Sequence, residues 1–233
     1  MLALVGSGEY LPAMENVDCY LISKLRKPPR VVCLPTAAGR EGSARIAYWS
    51  RLGVDHFTRL GVRVESLPVI DRESADDACL AEAITAANFI YLSGGKPDYL
   101  FETLQGSLVW KAIQSVLGDG GLLAGCSAGA MILGERFYGF PGWKQGFNFL
   151  PGVTVIPHFD EIPESIIKPL HHLTRNYLTM LGIDGNTALV TCGEQCEVTG
   201  SGGIAVWNKS GKTRYACGPL PPGVLGGFTG MLR

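Results

Sequence analysis

Gly120-Gly-Leu-Leu-Ala-Gly-Cys-Ser-Ala-Gly-Ala-Met-Ile-Leu133 joins a short apolar run, a turn of small residues carrying Ser127, and a run of helix-forming residues. Its centre, Gly125-Cys126-Ser127-Ala128-Gly129, has the G-x-S-x-G form of a nucleophile elbow, in which a serine occupies a sharp strand-to-helix turn. Small residues are needed two before and two after that serine, because a side chain at either place would strike the neighbouring strand or helix. Glycine at both removes the clash. From such a turn the hydroxyl projects beyond the carboxyl end of the strand, and the amide of Ala128 faces any oxyanion that forms. Five residues alone are a weak signal, so the surrounding chain has to support the reading.

Working outward, Leu2 to Gly6 reads as a buried strand, followed by the turn Gly6-Ser7-Gly8-Glu9 and a helix from about Met14 to Leu25. Val31 to Pro35 is a second strand, followed by the small-residue loop Thr36-Ala-Ala-Gly39 and a helix over Ser43 to Leu60. Val62 to Ile70 gives a third strand, Ala75 to Ala86 a helix and Asn88 to Leu92 a fourth strand. Helical segments over Tyr99 to Leu117, interrupted at Gly106, lead to a fifth strand at Gly121 to Ala124. Continuous apolar strands alternating with helices imply a mostly parallel sheet with helices on both faces, a three-layer α/β sandwich. In such a sheet ligands bind at the carboxyl ends of the strands, where Ser127, Gly94-Gly95 and Gly6-Ser7-Gly8 all fall.

Beyond the elbow the pattern changes. Phe137 to Phe149 is rich in glycine and aromatics, and Val153 to Ile156 reads as a strand running into Pro157-His158-Phe159-Asp160. Pro163 to Leu181 suits a helix containing Pro169. Thr187 to Thr191, Glu197 to Thr199, Ile204 to Trp207 and Thr213 to Ala216 read as short strands of an antiparallel meander.

Composition narrows the function. Twenty basic against 21 acidic residues, a net charge of -1, leaves no electrostatic footprint for nucleic acid or an anionic membrane surface. A small-molecule partner is expected. The 233 residues hold no Ser/Pro-rich linker or charge block, which argues for a single domain over 1–233. Met1 passes directly into Leu-Ala-Leu-Val-Gly-Ser-Gly with neither a basic leader nor a long apolar run, so a cytoplasmic protein is expected. The seven cysteines lack a disulfide-scaffold spacing. Cys33, Cys126 and Cys217 lie in apolar runs, as small hydrophobes do, and Cys192 and Cys196 have no second pair nearby to complete a zinc site. Neither a metal nor a cofactor is expected, and a homodimer is left open.

The chain resembles the serine-peptidase family containing cyanophycinase and the aspartyl dipeptidase peptidase E, within the class I glutamine amidotransferase-like superfamily of flavodoxin-like folds. The resemblance covers most of the chain. It is carried by Leu4-Val-Gly-Ser-Gly-Glu9, Leu34-Pro-Thr-Ala-Ala38, Tyr91-Leu-Ser-Gly-Gly95, Gly125-Cys-Ser-Ala-Gly-Ala130, Gly146-Phe-Asn-Phe-Leu-Pro151, Pro157-His-Phe159 and Gly182-Ile-Asp-Gly-Asn-Thr-Ala-Leu-Val190. It implies a nucleophile at Ser127, a base at His158, and oxyanion donors from the amides of Ala128 and of the Gly94-Gly95 pair, with Gly95 preferred. The physical reading agrees on the base, since a serine hydroxyl needs a histidine within hydrogen-bond reach. His158 follows a strand, whereas His56, His171 and His172 fall within helices.

For the acid, peptidase E draws on the loop between serine and histidine, where this chain offers Glu135. Class I amidotransferases use a carboxylate two residues after the histidine, where Asp160 stands. Residues two apart in an extended segment point to the same side, so Asp160 is preferred over Glu135, Glu161 or no acid at all. Cys126 as nucleophile, the amidotransferase alternative, would be flanked by Ala124 and Ala128 rather than by glycines. A catalytically silent binding member is the remaining alternative.

On substrate the chain departs from both relatives. Where cyanophycinase carries arginines after its histidine, this chain has Ile162 to Ile167. Where peptidase E supplies an arginine for aspartate, it has His171, His172 and Arg175 without a clear match, and Lys96 follows the glycine pair. A site without a charged clamp does not select an acidic side chain strongly. The expected substrate is a small peptide or amide, and Phe137 to Lys144 is read as a pocket wall, a lid or, with at least equal weight, a surface loop packed on the sheet.

Overall fold

The computed structural model of the chain describes residues 1–139, 141–174, 177–193 and 195–225. Its first half alternates strand and helix: β1 (Leu2–Val5), α1 (Glu15–Ser23), β2 (Arg30–Leu34), α2 (Ser43–Arg59), β3 (Arg63–Ser66), α3 (Arg72–Ala75), α4 (Ala78–Thr85), β4 (Phe89–Leu92), α5 (Pro97–Leu104), α6 (Leu108–Gly118), β5 (Leu122–Cys126) and α7 (Ala128–Met131). The second half is mainly strand: β6 (Arg136–Gly139), β7 (Gly142–Gln145), β8 (Val153–Ile156), α8 (Glu164–Thr174), β9 (Thr179–Ile183), β10 (Thr187–Cys192), β11 (Gln195–Gly200), β12 (Ile204–Asn208), β13 (Gly211–Tyr215) and β14 (Gly218–Pro219).

Among the described residues an eight-stranded sheet runs in the order β14-β11-β10-β1-β5-β4-β2-β3, parallel from β1 to β3 and antiparallel from β1 to β14. Its period-2 alternation sorts side chains into two cores. Leu4, Leu34, Ile90, Leu92 and Leu123 face one way, against Ile84, Leu100 and Ile113 of α4, α5 and α6. Val5, Cys33, Phe89, Tyr91 and Cys126 face the other, against Val17, Leu21 and Phe57 of α1 and α2. Helices on both faces make the three-layer α/β sandwich. Burying a side chain the size of Phe57 or Phe89 completely contributes on the order of 1.5–3 kcal/mol.

The second half departs from the sequence reading in three places. The helix expected to reach Leu181 spans Glu164–Thr174 among the described residues, and Thr179–Ile183 is instead a strand, since its apolar run fits either period. The C-terminal strands are not one meander: β10 and β11 extend the central sheet, while β12 and β13 join β9 and β8 in a four-stranded sheet in the order β13-β12-β9-β8. The aromatic segment forms the hairpin β6–β7, whose Phe137 is buried against Phe101 while Lys144 pairs with Asp98 and Glu102. Phe140 and Arg175 lie outside the described residues. In the first half, the helix expected over Ala75 to Ala86 is two, because Asp71 and Asp77 each cap a new start through backbone amides. Cys217 is exposed rather than packed. No described helix is long and apolar enough to cross a membrane.

Candidate active site

Ser127 stands between β5 and α7 with φ 50 and ψ -108. A non-glycine residue in that region costs about 1–3 kcal/mol and has to be held there by its surroundings. The flanking glycines are part of what holds it. A Cβ at Gly125 would lie 2.5 Å from the backbone of Gly129, and one at Gly129 would lie 2.7 Å from the carbonyl oxygen of Leu92. The Ser127 amide also donates to the Val5 carbonyl at 3.0 Å, tying the turn to β1.

His158 comes from the other sheet. It follows β8, with φ 53, and is seated by its neighbour Phe159, which is buried among Ile156, Ile167, Met180 and Ala205. Room for that ring exists because residue 182 is glycine: a Cβ there would sit 2.3 Å from Phe159. The Phe159 amide bonds the Ile183 carbonyl at 3.0 Å. So held, His158 places Nε2 3.1 Å from the Ser127 hydroxyl oxygen. This is hydrogen-bond distance for proton transfer.

The ring's other nitrogen, Nδ1, lies 3.3 Å from a Glu161 carboxylate oxygen. Asp160, expected there, instead accepts a hydrogen bond from the Gly185 amide at 2.7 Å. The reason is local. The segment after His158 is not extended but closes into a turn, with the Glu161 amide bonding the His158 carbonyl at 2.9 Å, which brings the residue three positions on beneath the ring. Glu135 is engaged elsewhere, accepting from the Gly152 amide at 2.6 Å.

Of the glycine pair, Gly94 gives its amide to Glu9 Oε1 at 2.7 Å. Gly95, with φ 144, packs so closely on the Ala37 backbone that a Cβ would lie 2.7 Å from it. Among the described residues the amides of Gly95 and Ala128 donate to no protein acceptor.

Cys126 is fully buried and donates its thiol to Glu9 Oε2 at 2.9 Å. Burial first, then the adjacent Glu9 carboxylate, pushes that thiol well above its ordinary range, so it is held neutral. Glu9 has no role in the sequence reading. The available signal was an acid closing a Gly-Ser-Gly turn at the carboxyl end of a buried strand.

A model of peptidase family S51 matches residues 2–199. The chain belongs to this family. Among solved structures, a peptidase from an acI-B1 actinobacterium is 38% identical, with TM-score 0.84 and 93% of each chain covered. A Listeria monocytogenes EGD-e protein carrying the peptidase E name is 19% identical, with TM-score 0.62 over 86% of this chain and 98% of that one, a likeness of fold. No curated protein matches the chain. As a member of peptidase family S51 it is a peptidase.

Proposed function

We propose that this peptidase hydrolyses a small peptide or amide through an acyl-enzyme on Ser127. The observation that carries the reading is the 3.1 Å approach of His158 Nε2 to a serine hydroxyl on a strained, glycine-flanked turn. Ser127 Oγ attacks the substrate carbonyl carbon while His158 Nε2 takes the hydroxyl proton. The resulting oxyanion faces the amides of Gly95 and Ala128. When the C–N bond breaks, His158 returns the proton to the leaving amine. Water then attacks the ester by the same route in reverse, releasing the acid and restoring Ser127.

Glu161 is proposed as the group that orients His158, with Asp160 anchoring the loop through Gly185. The exposed position of Glu161, whose side chain is 62% accessible, limits this ion pair to about 0.2–1 kcal/mol. The cysteine alternative is disfavoured by the buried, neutral thiol of Cys126. Seven free thiols support a reducing, cytoplasmic location. The reading is tested by screening a dipeptide and isopeptide library against wild type and Ser127→Ala. Turnover by wild type alone is expected, and equal turnover by both would refute it.

A further inference from the structure

We propose that Glu9 is a positioning residue that sets the oxyanion amide of Gly95 against the Ser127 elbow by bridging the loop after β4 to Cys126, the last residue of β5; the inference rests on Ser127 being the nucleophile. The sheet itself does not fix this relation. The β4–β5 ladder ends at Leu92 opposite Gly125, and the β1–β5 ladder at Val5 opposite Cys126. Past those pairs the two loops leave the sheet, yet both have to present an amide to one oxygen atom. Toward β2 the loop after β4 is held by backbone bonds, from Ser93 to the Leu34 carbonyl and from Lys96 to the Ala37 carbonyl. Toward β5 its hydrogen bond among the described residues is the one from the Gly94 amide to Glu9.

Glu9 spans the gap because β5 lies between β1 and β4. Its chain leaves β1, turns at Gly8 (φ 87), and is anchored at the next residue by Tyr10, buried against Tyr91 and Phe57. One carboxylate oxygen then takes the Gly94 amide at 2.7 Å and the other the Cys126 thiol at 2.9 Å. The fit is close: a Cβ at Gly94 would lie 2.8 Å from Glu9 Oε1 and 3.3 Å from Ser127 Cβ. The residue is 7% exposed, with both carboxylate oxygens taken up by these two partners. By taking up the Gly94 amide, it leaves Gly95 as the donor of that pair.

The discriminating variants are Glu9→Gln, which keeps an acceptor at full reach without the charge, and Glu9→Asp, which keeps the charge one methylene short. The readouts are the rate of Ser127 phosphonylation by a fluorophosphonate and hydrogen exchange at the Gly94 and Gly95 amides. We expect Glu9→Gln to stay within about 5-fold of wild type and Glu9→Asp to fall by about 10- to 100-fold, the scale of a donor displaced by an ångström. Exchange at the pair should quicken in Glu9→Asp only. Rapid phosphonylation of Glu9→Asp, or a folded Glu9→Gln slowed as much as Glu9→Asp, overturns the positioning role. If wild type is not phosphonylated the serine reading fails, and the exchange data alone still decide whether Glu9 holds the pair.

Discussion

The two sides of the site are built differently. Ser127 sits at the end of a fully buried parallel strand, with backbone packed against backbone at Gly125 and Gly129. His158 sits on the smaller sheet, its side chain 39% exposed, held by one buried neighbour and one exposed carboxylate. The difference teaches where rigidity is placed. The proposed nucleophile and oxyanion amides are fixed by core packing, which tolerates few alternatives. The proposed base is held by a surface turn, whose bonds are each worth little.

Substitutions separate the two sides. Ser127→Ala is expected to lower turnover by a thousandfold or more, and His158→Ala by about 10²–10⁴-fold, both read as kcat/KM on a substrate found by screening. If the nucleophile side is the rigid one, Gly129→Ala should cost roughly 1–3 kcal/mol, seen as a fall in Tm of about 2–12 °C by calorimetry. An unchanged Tm there would break the contrast. Cys126, being buried and neutral, should resist iodoacetamide at pH 8 while the exposed Cys19, Cys79, Cys192 and Cys217 react. The sign follows from its raised pKa: thiolate forms only above the usual thiol range, so alkylation of Cys126 should begin only at strongly alkaline pH. Peptide mapping checks it, and rapid modification at pH 8 would revive the cysteine reading. The smallest effect belongs to the base side, where Glu161→Gln should slow turnover by about 1.5- to 5-fold. Asp160→Asn, which keeps an acceptor for Gly185, should leave the rate near that of wild type.

The parallel half of the fold was legible because β1, β2, β4 and β5 are mostly continuous apolar runs and its helices are set off by glycine and proline. The elbow was legible for a related reason: the glycine spacing follows from atoms that would otherwise collide, and those atoms lie within one strand and one turn. Thr179–Ile183 was not legible, since five apolar-rich residues carry no period long enough to separate strand from helix. The choice between Asp160 and Glu161 turned on whether the backbone after His158 extends or turns. It turns, with the Glu161 amide bonding the His158 carbonyl while the Phe159 ring sits over Gly182, and the second of these is a contact between distant segments that no local pattern encodes. Glu9 was hidden for the same kind of reason: its two partners, Gly94 and Cys126, lie 85 and 117 residues away and meet only because β1, β5 and β4 are neighbours.

Ser127, activated by His158, is the proposed nucleophile. Intact-mass and peptide mapping of the protein after treatment with a fluorophosphonate tests it most directly. One adduct on Ser127 is expected, absent in Ser127→Ala and much slower to form in His158→Ala. An adduct on another residue, or none on folded wild-type protein, would contradict it.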